Sequence, residues 1–116
     1  MDDDRSCCPD AAPAPRGVAG RRRAARVFRA LGDPTRLEIL ALIAARPEPI
    51  CVCDIVSRFE LSQPTISHHL RILREAGLVT ASRRGTWSYY QVHDRGAAVL
   101  RSAVRSAIPE AATAGS

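Results

Sequence analysis

The chain has 116 residues, a formal net charge of +5 and a sequence pI of about 9.7. That length suits one small domain whose core dimerisation would reinforce, and without a secretory h-region or a spanning apolar run the expectation is a cytoplasmic, non-membrane protein. All 17 basic residues are arginine, whose planar fork grips phosphate and guanine, although an arginine-rich solvated surface accounts for the composition almost as well.

Residues 1–20 read as a disordered tail: Asp2, Asp3 and Asp4 form an acidic run, proline and small residues follow, and no apolar period is visible. Arg21, Arg22 and Arg23 then precede a short helix over 24–31. They are placed either on DNA phosphates or in solvent. Asp33 and Pro34 mark the start of the next helix, one as cap and the other at the first helical position. Leu37, Leu40, Ala41 and Ala44 recur at helical spacing as its apolar stripe, and Pro47 and Pro49 end it. A short helix is expected over 51–59.

Ser62 opens a helix that runs to Ala76. Ile66, Leu70 and Leu73 share one face, and Gly77 stands at the glycine stop. Strands follow over 78–83 and 86–92, around a turn at Arg84-Gly85. Asp94 is the expected cap of a last helix with the stripe Ala97, Leu100, Val104 and Ile108. A loose tail covers 109–116, so the domain proper is 21–108.

Two short helices joined by a polar turn, with a hairpin directly after the second, make a winged helix-turn-helix. The fold class is mainly α with a β-hairpin wing. A recognition helix needs an apolar face to anchor it and a polar, basic face to reach base edges. Opposite Ile66, Leu70 and Leu73 lie Pro64, Ser67, His68, Arg71, Arg74 and Glu75, with Gln63 and Thr65 beside the N-terminal end. Gln63 can read adenine, and Arg71 or Arg74 can hold phosphate or guanine. Ser62 serves first as N-cap, and a capped helix start also suits a phosphate. Adjacent residues point about 100° apart, so His68 and His69 do not chelate one ion. DNA contact is expected for His68, and packing or a phosphate contact for His69. Arg83 and Arg84 at the wing tip suit the backbone or minor groove. Trp87 and Tyr89 are expected to pack rather than stack on bases. No phosphate-binding glycine loop, nucleophile motif or paired catalytic carboxylates point to an enzyme.

The runs LGDPTRLEILALI (31–43), ICVCDIVSRFELSQPTISHHLRILREAGLV (50–79) and RRGTWSYYQV (83–92) strongly resemble the ArsR/SmtB family of metal-sensing repressors. The resemblance covers about residues 27–92. It implies a homodimer joined through its first and last helices, holding double-stranded operator DNA in the apo form and releasing it on metal binding.

Within that family, Cys51-Val52-Cys53-Asp54 resembles the arsenic-sensing branch, whose motif reads CVCDLC. Val56 stands where that motif has its last cysteine. As(III) and Sb(III) prefer three thiolates, and on a regular helix Cys51 and Cys53 would point about 200° apart. Cys51 near a helix N-terminus suits a reactive thiolate. Some family members pair vicinal N-terminal cysteines with one at the DNA-binding helices. The resemblance therefore implies a site of Cys7, Cys8 and Cys51. Cys53 is either a substitute or fourth ligand, or a small core hydrophobe. The family's zinc site on the last helix is not matched: Asp94 is followed by no second ligand within that helix. The alternatives on the same scaffold are a thiol redox sensor, with Cys7-Cys8 and Cys51-Cys53 closing as disulfides, and a Cd(II) or Pb(II) sensor.

Overall fold

The computed structural model describes residues 17–108, with side chains from Gly20 onward. The elements are α1 (Gly17–Ala30), α2 (Pro34–Ala44), β1 (Ile50–Cys51), α3 (Val52–Ser57), α4 (Gln63–Glu75), β2 (Val79–Arg84), β3 (Trp87–Val92) and α5 (Asp94–Ala107). The strands form one antiparallel sheet in the order β1-β3-β2. The acidic run, Cys7, Cys8 and the segment from Pro109 lie outside the described residues.

Local chemistry sets most helix ends. The Asp33 carboxylate accepts the Arg36 backbone N–H at 3.1 Å while Pro34 occupies the first turn of α2. Ser62 Oγ accepts the Thr65 N–H at 3.4 Å at the start of α4. At the far end of α4, Gly77 adopts φ 82°. Its N–H bonds to the Arg74 carbonyl and that of Leu78 to the Leu73 carbonyl, a pair of bonds that needs a left-handed residue at this glycine.

The core is entirely apolar among the described residues. Val27 and Ala30 of α1 meet Ile39 and Ile43 of α2, Ile50, Val52 and Ile55 around α3, Ile66, Leu70 and Leu73 of α4, and Leu78 and Val79 leading into β2. The anchoring face expected for α4 is therefore the one buried.

Five expectations change. α1 starts at Gly17 rather than at 24. In α2 the buried residues are Ile39 and Ile43, while Leu37 is 52% exposed. The segment PTRLEILALIA is apolar nearly all round, so its period alone does not select a face. The expected helix over 51–59 gives way at its start to strand β1, and α3 occupies only Val52–Ser57. The hairpin turn falls one residue later, at Gly85-Thr86, because Arg84 still pairs with Trp87. His93, not Asp94, caps α5: its Nδ1 accepts the Arg95 N–H at 3.2 Å. No helix among the described residues is long and apolar enough to cross a membrane.

Candidate nucleic-acid interface and thiol site

Helix α4 is held by its apolar face, which leaves its polar face free. Ser62, Gln63, Thr65, Ser67, His68, Arg71 and Arg74 are all exposed. Pro64, Ser67, His68, Arg71 and Arg74 border a shared cavity of about 360 Å³, closed on its other side by Tyr90 of β3. A groove between the exposed helix face and the sheet is thus lined by two guanidiniums, an imidazole, a hydroxyl of Ser67 and the Tyr90 ring. Arg71 Nη2 lies 3.4 Å from His68 Nδ1, one turn away on the same face. Tyr90 is the lining residue that sequence reasoning passes over. Strand alternation puts it on the opposite side of β3 from Tyr89, and packing makes that side the one half-buried against the core.

His69 separates from His68. The two ring centroids are 5.9 Å apart and tilted by 57°. His69 Nδ1 faces Arg36 Nη1 at 3.2 Å, and Arg36 Nε donates to the Ala30 carbonyl at 2.6 Å. A guanidinium only donates, so Nδ1 is the acceptor in this contact. Arg36 therefore ties the end of α1 to the middle of α4. His69 packs against Arg36. Beside this tie, Asp33 is held below the usual carboxylate range, chiefly by the Arg36 backbone N–H. Glu75 leaves the interface for a separate cavity of about 380 Å³ with Arg26, Arg29 and Arg36.

The wing is a two-residue turn on paired strands, with Gly85 at φ 66°. Arg83 and Arg84 are both exposed, but neighbours on a strand point to opposite faces. They therefore leave the hairpin on different sides. The Arg84 guanidinium stacks over the Tyr89 ring, 4.7 Å from its centroid. Trp87 is 48% exposed, so the packing expected of it is absent within one chain.

Cys51 sits at the N-cap of α3 with extended backbone. Its Sγ accepts the Cys53 N–H at 3.3 Å, and the Cys51 and Cys53 sulfurs are in contact. The opposed directions expected on a regular helix do not apply, because Cys51 belongs to the strand before the helix. Cys53 is exposed and Val52 takes the core position, which corrects the reading of Cys53 as a core hydrophobe. Among the described residues, no group of three or more His, Cys, Asp or Glu side chains converges to hold a metal ion.

Comparison with known proteins agrees with this geometry. Residues 33–81 match the family described as bacterial regulatory protein, arsR family. An HTH-type transcriptional regulator of Methanocaldococcus jannaschii is 51% identical over 72 residues, covering 62% of this chain and 80% of that protein. The arsenical resistance operon repressor of Bacillus subtilis is 44% identical over 73 residues, covering 63% of this chain and 69% of that protein. Among solved structures, the homodimeric winged helix-turn-helix DNA-binding domain of a possible ArsR-family regulator from Mycobacterium bovis superposes with a TM-score of 0.62 at 30% identity. It covers 89% of this chain and 85% of that one. The family segment spans both helices of the reading head, and the aligned region covers 80% of the M. jannaschii regulator and 69% of the B. subtilis repressor, so the chain belongs to the arsR family: it is a winged-helix DNA-binding transcriptional regulator and not an enzyme.

Proposed function

We propose that the chain is an operator-binding repressor, working as a homodimer in the cytoplasm, that lets go of DNA when As(III) or Sb(III) binds its thiols. The carrying observation is the position of Cys51. It is half-buried at the start of α3, the helix that packs on the recognition helix, with the Cys53 sulfur in contact. DNA is held by Ser62, Gln63, Thr65, Ser67, His68, Arg71 and Arg74 from α4, and by Arg83 and Arg84 from the wing. The dimer forms through α1 and α5: α5 buries none of its residues within one chain, and Phe28, Val104 and Ile108 are exposed. A relative described as homodimeric supports a dimer.

Arsenite exchanges its three hydroxyls for three thiolates. Each As–S bond formed releases one water, made from the departing hydroxide and the thiol proton, with arsenic unchanged in oxidation state. Cys51 and Cys53 supply two sulfurs at most, so a trigonal site takes Cys7 and Cys8 with Cys51, and Cys53 acts as substitute. Closing that site ties the N-terminal segment to α3 and moves α3 against α4. A coupling of ~1–3 kcal/mol between ion and operator is typical of such linkage.

The sulfur contact also favours a second reading, in which oxidation closes Cys51-Cys53 as the signal. Operator binding by the reduced protein, titrated with arsenite, antimonite, Cd(II), Pb(II) or peroxide while free thiols are counted, separates these. Release by arsenite with consumption of three thiols per chain is expected. Release by peroxide alone, with arsenite inert, would establish the redox reading instead.

A further inference from the structure

We infer that Tyr89 is a positioning residue through which the state of Cys51 reaches the wing. The proposal rests on the thiol-sensing reading above and extends it to the second DNA-contacting element. Strand β1 is two residues long, and it pairs with the wing strand rather than with a core strand: Ile50 lies opposite Tyr90 and Cys51 opposite Tyr89. Directly opposed residues of an antiparallel pair share a face, with Cβ atoms about 4.5–5.5 Å apart. On the other side of β3, Tyr89 opposes Ser82 and Trp87 opposes Arg84. Residues two apart on a strand share a face as well. Cys51, Tyr89, Trp87, Ser82 and Arg84 therefore all project from one side of the sheet. The Arg84 guanidinium resting on the Tyr89 ring is the diagonal contact this register allows.

The consequences are steric and electrostatic. An ion bound to Cys51 Sγ lies on the Tyr89 side of the sheet, within reach of that ring. The ring must turn or shift to admit it. Its face is what holds the Arg84 side chain in place, through cation–π attraction. Moving the ring frees Arg84 at the wing tip and alters the surroundings of Trp87, its neighbour on the same face. The recognition helix is thus one of two elements that a thiol ligand displaces.

Trp87 is the chain's single tryptophan, which makes the wing directly observable. The test uses the full-length reduced protein, free of DNA, with arsenite as probe for emission and thiol count, and operator release measured in parallel. Wild type, Tyr89→Phe, Tyr89→Leu and Arg84→Gln are compared. Expected is an emission change in wild type that saturates with thiol consumption. Tyr89→Phe retains it, because the ring face is kept. Tyr89→Leu loses it while consuming the same number of thiols, and its operator release by arsenite weakens several-fold. Arg84→Gln, which leaves the strand pairing intact, blunts the change should the leucine variant fold poorly. If arsenite consumes thiols and releases the operator but Tyr89→Leu responds as wild type does, the wing coupling is wrong and the sensing reading stands. Direct quenching by the ion would produce that same persistence in Tyr89→Leu and likewise counts against the coupling. If wild type neither consumes thiols nor releases DNA, the sensing reading fails and the coupling with it.

Discussion

Arg71 stands at the middle of the exposed α4 face, one turn from His68 and bordering the groove closed by Tyr90. It contributes nothing to the core, so its replacement isolates DNA contact from folding. Arg71→Ala is expected to weaken operator binding by ~1–3 kcal/mol with some loss of sequence preference if it meets a base, and with an unchanged melting temperature. Quantitative gel shifts on matched and single-substituted operators check this; undiminished affinity would take the helix face off the DNA. Asp33 works in the other direction, on stability alone. Its folded carboxyl is held low by the Arg36 N–H, so its contribution is present above the unfolded carboxyl's pKa of about 4 and disappears as pH falls through the folded value. Asp33→Ala should lower the melting temperature at neutral pH, and the gap to wild type should close in acid. A gap that persisted once the carboxyl is fully protonated in acid would mean that the cap acts by something other than the ionised carboxylate.

At the level of elements, two junctions decide how the reading head is presented. One is the wing. Arg83 and Arg84 leave opposite faces of the hairpin, so each can reach a different phosphate or groove wall. Neutralising both should reduce the slope of log affinity against log salt by up to about 2 units, since each phosphate that a side chain neutralises accounts for about 0.9. An unaltered slope would place the wing away from the duplex. The other junction is where α5 crosses the end of α4. A Cβ on Gly96 would come within 1.8 Å of the Gly77 carbonyl oxygen, which belongs to backbone that cannot step aside cheaply. Gly96→Ala should therefore push α5 off the corner and destabilise the fold by ~1–3 kcal/mol. Thermal unfolding measures it, and an unshifted transition would show that the corner relaxes freely.

On the scale of the whole molecule, a single chain leaves an apolar strip uncovered. Leu100 is partly packed, whereas Val104 on the same stripe of α5 is 44% exposed and Ile108, just past the helix end, 75%. Helix α1 packs on α5 and leaves Phe28 exposed. A second copy covering this strip would supply the apolar burial that a small domain is short of. Val104→Asp should shift the protein towards monomer in sedimentation equilibrium and lower operator affinity, because two linked reading heads bind far better than one. A variant that stayed dimeric would move the interface elsewhere.

Much of this was legible in the sequence because it depends on neighbours a few residues apart. Asp33-Pro34, Ser62 and Gly77 delimit α2 and α4 through bonds that span only a turn or so of chain. The helical period of Ile66, Leu70 and Leu73 names the buried face of α4 and, by exclusion, the face that presents Ser67, His68, Arg71 and Arg74. The thiols stood out for a similar reason, as a local spacing with Val56 in place of a third cysteine. What the tertiary structure alone decided depends on contacts between distant segments. The apolar face of α2 was ambiguous until packing chose Ile39 and Ile43 and left Leu37 outside. His69 is assigned by Arg36, 33 positions earlier. Most consequential is Cys51, whose two-residue strand is too short to show any periodicity. Only pairing with β3 takes it out of the helix, turns its sulfur towards Cys53 and sets it across from Tyr89 at the base of the wing.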